Sequence, residues 1–317
     1  MNRTLIRTGL LVLALASAAA QAAPAPQMDI PGVIRANAKV ELVKDGLKGL
    51  EGPVPSGDGG LYFSAIEENR IYKLDRDGRT ITVFRENTNG TNGLFLLKDG
   101  RLLGAEGGGK RVIAMAPNGT VTPLATASRG MPLRGPNDVI ADGKGGIYFT
   151  DPAPRPAPDV APMEPGNVNY IRANGEVVFI DGDIRRPNGI TVSPDGRTLY
   201  VGDTEGEYIY AFDIQPDGSA RNKRQFAKLI EPERGSLGLR SRADGMAMDS
   251  EGRVYVSTAA GIQVIAPNGN HLGVIRLPAV ARNVAFAGPD RKMLYLTALN
   301  ALYRVPVLSS GPADRSK

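Results

Sequence analysis

The sequence predicts an all-β, six-bladed β-propeller with four-stranded antiparallel blades, and three observations lead there. One pattern occurs six times: a polar opener, an apolar strand, a Gly-bearing turn and a second apolar strand. It begins at Glu51 (EGPVPSGDGGLYFS), Asn92 (NGLFLLKDGRLLGAE), Asn137 (NDVIADGKGGIYFTD), Asn188 (NGITVSPDGRTLYVGD), Asp244 (DGMAMDSEGRVYVST) and Asn283 (NVAFAGPDRKMLYLT). The steps between openers are 41, 45, 51, 56 and 39 residues, the length of a repeat that holds four short strands. The two ends of the chain also complement each other. KVELVKDGL precedes the first copy as a strand without a partner, and the sixth copy stops one strand short after ALYRVPV. A strand near residues 39–43 is therefore expected to complete the last blade, closing the ring and removing two open sheet edges.

Taken in order, the chain begins with a segment set apart from the fold. Residues 1–22 (MNRTLIRTGLLVLALASAAAQA) carry Arg3 and Arg7, an apolar run and small residues ending Ala20-Gln21-Ala22, the layout of a cleaved export signal. The expectation is a periplasmic or secreted protein with one propeller over residues 23–317. No Cys is present, so neither a lipid anchor nor a disulfide is available. The net charge of +5 falls by two without the leader, and no run of five basic residues occurs. Nucleic acid is thus not an expected partner, and beyond the leader no segment reads as membrane-spanning. The absence of Trp argues against the Trp-Asp class of propellers. Ala23 to Gly32, rich in Pro, reads as an extended lead-in.

Within a copy, strands A and B are joined by turns such as KDG, SPDG and DSEG, and strands C and D by DRDG, APNG, RANG and QPDG. Asn-Gly is by default a turn, and Asn118, Asn174 and Asn268 fit that default. Asn92 and Asn188 do not, because each opens a strand A with another turn a few residues later. If strand A is innermost and runs away from the mouth of the ring, all six openers converge on that mouth. Every one bears a side-chain oxygen, whereas a solvated loop would be expected to show Lys, Ser or Arg among them. Two long insertions rise on the same face: Asp151 to Asn167, with six Pro, and EPERGSLGLRSRA before Asp244. Long loops in a compact domain are commonly functional.

Two carboxylates and several amide oxygens around one axis make a donor set for a hard cation such as calcium. Zinc and copper usually take imidazole or thiolate, and the only His, His271, falls in strand D of copy five. A polar channel filled with water is the alternative at this point.

The segments RGPNDVIADGKGGIYFTDP, RRPNGITVSPDGRTLYVGDT and RADGMAMDSEGRVYVST, with the copy opening at Glu51, resemble the senescence marker protein 30, gluconolactonase and luciferin-regenerating enzyme family, in particular its bacterial gluconolactonase branch. The resemblance implies a divalent cation, usually calcium, with zinc, manganese or magnesium as substitutes. Its ligands would be Glu51, Asn188 and Asp244, with Asn137 as a fourth ligand or a substrate contact. Asp138 follows Asn137 as in lactonase relatives that hold a second ion, and here it reads as a turn residue. Asn92 and Asn283 remain channel residues. Mammalian members place an Arg two residues before the blade-three Asn. Here that position is Gly135, with Arg134 one further back as the candidate substrate contact. The single His disfavours the His-pair mechanism of paraoxonases.

The expected chemistry is hydrolysis of a small-molecule lactone: the cation accepts the ester carbonyl oxygen, a nearby water attacks, and Asp244 is the first candidate to take the proton. Glu106, Asp151 and Asp203, at the mouth ends of B strands, are candidate contacts to substrate hydroxyls or structural caps. The alternative from another class is a non-catalytic periplasmic propeller binding a sugar, peptide or protein at the same mouth. Strictosidine-synthase-like chemistry on this fold is a third, and it would not require the Glu51 and Asp244 pair.

Overall fold

The computed structural model describes residues 27–155, 163–236 and 238–313. The expected leader and the middle of the Pro-rich insertion lie outside the described residues. Six four-stranded antiparallel sheets follow one another along the chain. Their inner strands are Leu50–Pro55, Thr91–Leu96, Val139–Ala141, Pro187–Val192, Met246–Met248 and Ala281–Ala287. Each packs against the inner strand of the next blade, and the sixth packs against the first, so the ring is closed.

Closure comes from the N-terminal strand, as expected. Glu41–Asp45 pairs antiparallel with Ala301–Pro306, setting Glu41 opposite Arg304 and Asp45 opposite Ala301. Arg304 Nε donates to a Glu41 carboxylate oxygen at 2.9 Å, which pins the register two residues later than the sequence suggested. The lead-in is not simply extended. Ile30 to Ile34 forms a tight turn through Pro31 and Gly32, and Ile30, Val33 and Ile34 are buried against strands of blades five and six. The backbone follows the apolar residues, whose burial stabilises the join by about 1.5–3 kcal/mol for each large side chain.

The core fills the gaps between blades. Tyr148, Phe149 and Val168 of blade three pack with Ile190, Val201 and Phe212 of blade four. Val54 and Ile71 pack with Leu94 and Ile113 in the same way between blades one and two. Asn118, Asn174 and Asn268 are turn residues: each side-chain oxygen accepts from the backbone N–H two positions on, at 3.0–3.1 Å. Among the described residues no helix is long and apolar enough to cross a membrane.

Candidate active site at the channel mouth

The same local construction delivers most openers to the axis. The A–B ladder is interrupted beside the openers of blades one, two, four and six. In blades two and four the opener itself lies in the interruption, where a bulge re-aims its side chain, while Glu51 and Asn283 stay paired at its edge. In four blades the next residue is Gly, for a reason of space. A Cβ on Gly52 would lie 2.2 Å from the Asn92 carbonyl oxygen, one on Gly189 2.2 Å from that of Asp244, and one on Gly245 1.8 Å from Asn283 Cγ. Asn92-Gly93 and Asn188-Gly189 are therefore not turns. They are places where one blade touches the opener of the next. Hydroxyls from B strands fasten these contacts: Ser64 Oγ donates to the Asn92 carbonyl and Thr150 Oγ1 to that of Asn188, both at 2.7 Å.

Glu51, Asn92, Asn137, Asn188 and Asp244 all line one cavity of about 390 Å³. The sixth opener, Asn283, stands behind Glu51 and donates from Nδ2 to Glu51 Oε2 at 3.1 Å. Its own Oδ1 accepts from the Val284 N–H at 2.8 Å, so the amide cannot turn freely. Asn188 Nδ2 donates to Thr204 Oγ1 at 3.1 Å, and Thr204 Oγ1 donates to the Ala243 carbonyl, which ties Asn188 to the approach to Asp244. Among the described residues the side-chain amides of Asn92 and Asn137 make no hydrogen bond to protein and face the cavity.

Electrostatics set this cavity apart. Glu51 and Asp244 are 5% and 9% exposed. Burial holds the Glu51 carboxyl well above its ordinary range, and the neighbouring Asp244 charge pushes it further up, against the Asn283 hydrogen bond and Arg282. Burial likewise raises Asp244, opposed by Arg282 and by a hydrogen bond with Asn188. Two adjacent buried carboxylates repel unless something positive joins them. Among the described residues no three acidic, His or Cys side chains gather as a metal cluster. The donor set is two carboxylates supplemented by amide oxygens, and this hard-oxygen set fits a calcium-like cation.

Asp138 is not a turn residue. It is 1% exposed at the head of the blade-three inner strand, where its carboxylate accepts from the Val139 N–H at 2.9 Å and the Ile190 N–H at 3.3 Å. The candidate substrate contacts at the B-strand ends are occupied elsewhere. Asp151 accepts from the N–H groups of Arg134 and Gly135 at 2.8–3.1 Å, and Asp203 from those of Arg186 and Glu205 at 3.0–3.2 Å. Both hold the loop that leads to an opener. Glu106 accepts from Arg111 Nε. Arg134 turns to the insertion, with Nη2 donating to the Pro165 carbonyl at 3.0 Å. None of these four lines the cavity, so they read as structural caps and staples.

Sequence reasoning missed the cationic wall. Arg155, Arg186, Arg242 and Arg282 line the cavity, the first from the Pro-rich insertion and the third from the loop before Asp244. One described residue of each insertion, Arg155 and Arg242, thus reaches the mouth. Register in the repeat held the signal: Arg186 and Arg242 each lie two residues before an opener, at the place Gly135 takes in blade three.

Comparison with known proteins agrees with this architecture. The family model described as SMP-30/Gluconolactonase/LRE-like region matches residues 50–300. The gluconolactonase of Zymomonas mobilis subsp. mobilis is 26% identical over 309 residues, covering 90% of this chain and 85% of that protein. A solved gluconolactonase from Xanthomonas campestris is similar with a TM-score of 0.74 at 27% identity, covering 86% of this chain and 90% of that one. Regucalcin from Agrobacterium tumefaciens, described as a calcium-binding protein, shares the fold with a TM-score of 0.72 at 20% identity, over 87% of this chain and 96% of that one.

Proposed function

The chain belongs to the SMP-30/gluconolactonase/LRE-like family, and from that premise we propose that it is an exported, divalent-metal-dependent lactonase that opens a sugar-derived or related lactone. One observation carries the reading: Glu51 and Asp244, from blades one and five, are buried in a single cavity, where burial raises the pKa of each. Uncompensated, that pair is a cost; as ligands of a cation it has a use.

Glu51, Asn188 and Asp244 would hold the ion, with Asn137 as the fourth protein ligand. When bound, calcium supplies Lewis-acid polarisation of an ester carbonyl and offsets the two carboxylates. The chain supplies the rest. Asp244 takes a proton at its carboxylate as water oxygen bonds to the carbonyl carbon, and returns it to the ring oxygen as the C–O bond opens. The product is the hydroxy acid, released as its carboxylate and a proton. Asn283 fixes the orientation of Glu51, and the amide of Asn92 is placed to meet substrate hydroxyls. The layout of residues 1–22 supports export.

The test is proton release from a panel of aldonolactones with calcium, manganese or zinc, and with EDTA. Turnover that requires the metal and disappears in Glu51→Ala is expected. Unchanged turnover in that variant removes the metal mechanism, and no turnover with any metal replaces the enzyme with a binding propeller. Sequencing the N-terminus of exported protein is expected to begin at Ala23.

A further inference from the structure

Three of the four cavity guanidiniums face acids. Arg155 Nη1 lies 3.2 Å from Glu205, Arg242 Nη1 3.6 Å from Glu233 and Arg282 Nη1 3.9 Å from Asp244. The last two distances are too long for good hydrogen bonds, and Arg240 also draws on both Glu205 and Glu233. Arg186 differs. Its Nη1 donates to the Ala153 carbonyl at 2.8 Å, and among the described residues no carboxylate forms an ion pair with it. Burial lowers its pKa and repulsion from Arg155 lowers it further, against the more distant charges of Glu205 and Asp244, which offset this only in part.

A guanidinium drawn out of water beside another cation is costly unless an anion joins it. In the ion-free protein Arg282 offsets Glu51 and Asp244, and Arg186 offsets Asp244. With a divalent cation on those carboxylates that task is taken over, and the wall is left with positive charge to spare. A pocket for a neutral sugar ring has no need of it. The guanidinium fork, by contrast, matches two oxygens of a carboxylate, phosphate or sulfonate. Position agrees: Arg186 and Arg242 hold equivalent places before the openers of blades four and five, so the charge lies to one side of the axis.

We propose that the lactone opened at this site carries an anionic substituent remote from the ester, gripped by Arg186 with Arg155 and Arg242 on the blade-four and blade-five side of the mouth. The proposal rests on the lactonase reading for its ester, and on the arginines alone for its charge.

The experiment compares kcat/KM, with calcium, for a neutral aldonolactone and three anionic ones: an aldaric-acid monolactone, a 6-phosphorylated and a 6-sulfonated aldonolactone. At least one anionic lactone is expected to lead by about tenfold or more, the scale of one hydrogen bond to a charged group. Which one leads names the anion. In Arg186→Gln that ratio is expected to fall toward one. A wild type that takes neutral lactones as well or better, or a ratio unmoved by Arg186→Gln, overturns the proposal. A second arm needs no turnover: calorimetry of the calcium-loaded protein with a dianionic aldarate and a monoanionic aldonate. Tighter binding of the dianion, lost in Arg186→Gln, supports the anion site even if no lactone is hydrolysed, in which case only the lactonase reading fails. Hydrolysis without charge preference, and equal binding of the two acids, keeps that reading and discards this one.

Discussion

The ring has a cavity at each end of its inner strands, and the larger one is not the candidate site. Away from the openers, among the A–B and C–D turns of blades two to four, lies a cavity of about 670 Å³ walled by Phe95, Leu97, Leu103, Ile147, Ile171 and Val192. Several of its charged residues are paired within the protein. Asp99 pairs with Arg101, Asp142 accepts from Tyr170 Oη at 2.7 Å, and Arg172 pairs with Glu176 and Asp217 at 2.8 and 2.9 Å. The mouth cavity is smaller, yet its two carboxylates are buried together, two amides make no hydrogen bond to protein, and among the described residues one guanidinium forms no direct ion pair. Size measures what could fit; unmet polar demand measures what the chain is built to bind.

The widest gap between the two ends is expected in activity. Glu51→Ala should lower lactone turnover by more than about a hundredfold, because even partners of metal ligands cost about 10–100-fold when changed. Asp99→Asn at the other end should leave it unaltered. A turnover assay on the two variants with calcium checks the contrast, and equal effects would break it. Next comes Asn283→Ala, which leaves the ligands in place and removes the donor to Glu51 Oε2. Calcium affinity is expected to drop by about tenfold. If calorimetry gives the wild-type affinity, Glu51 is not positioned through Asn283.

The ring was legible in the sequence because repetition averages out local ambiguity. Six openers with their turns fix the strand count, and the unpaired strand before Glu51 fixes how the ring closes. Convergence of Glu51, Asn92, Asn137, Asn188 and Asp244 followed from strand direction alone. What was not legible depends on partners. Asp151 and Asp203 stand where a substrate contact could stand, and only coordinates show that loop N–H groups take both carboxylates. Arg134 is drawn to the Pro165 carbonyl, a contact that chain order does not announce. The arginine wall was missed because the search ran over openers, while Arg186 and Arg242 lie two residues upstream. The turn inside the lead-in was hidden by its prolines, which mark a break without saying what Ile30 and Ile34 bury against.

The next contrast concerns glycines. Gly189, near the mouth, is required by space, since a Cβ would sit 2.2 Å from the backbone oxygen of Asp244, which cannot step aside. Gly189→Ala is therefore expected to destabilise the fold by about 1–3 kcal/mol, as over-packing does. Its urea midpoint should fall accordingly, and calcium affinity should fall with it because the displaced segment carries Asp244.

Gly196, in an A–B turn at the opposite end, is required by backbone angle instead: its φ is +68°, and nothing lies within 4 Å of where a Cβ would be. Asn tolerates that left-handed conformation better than other side chains, its short amide bonding locally to the chain. Gly196→Asn should then cost less than about 1 kcal/mol, the cost of the angle being partly offset by the smaller entropy of the unfolded chain. Gly196→Val, branched at Cβ and poorly suited to that angle, should cost more than the Asn variant at the same site. Urea unfolding of the three proteins separates the two causes. If Gly196→Asn proves as damaging as Gly189→Ala, that end of the ring is packed as tightly as the mouth, and the distinction between a spatial and an angular requirement for glycine fails.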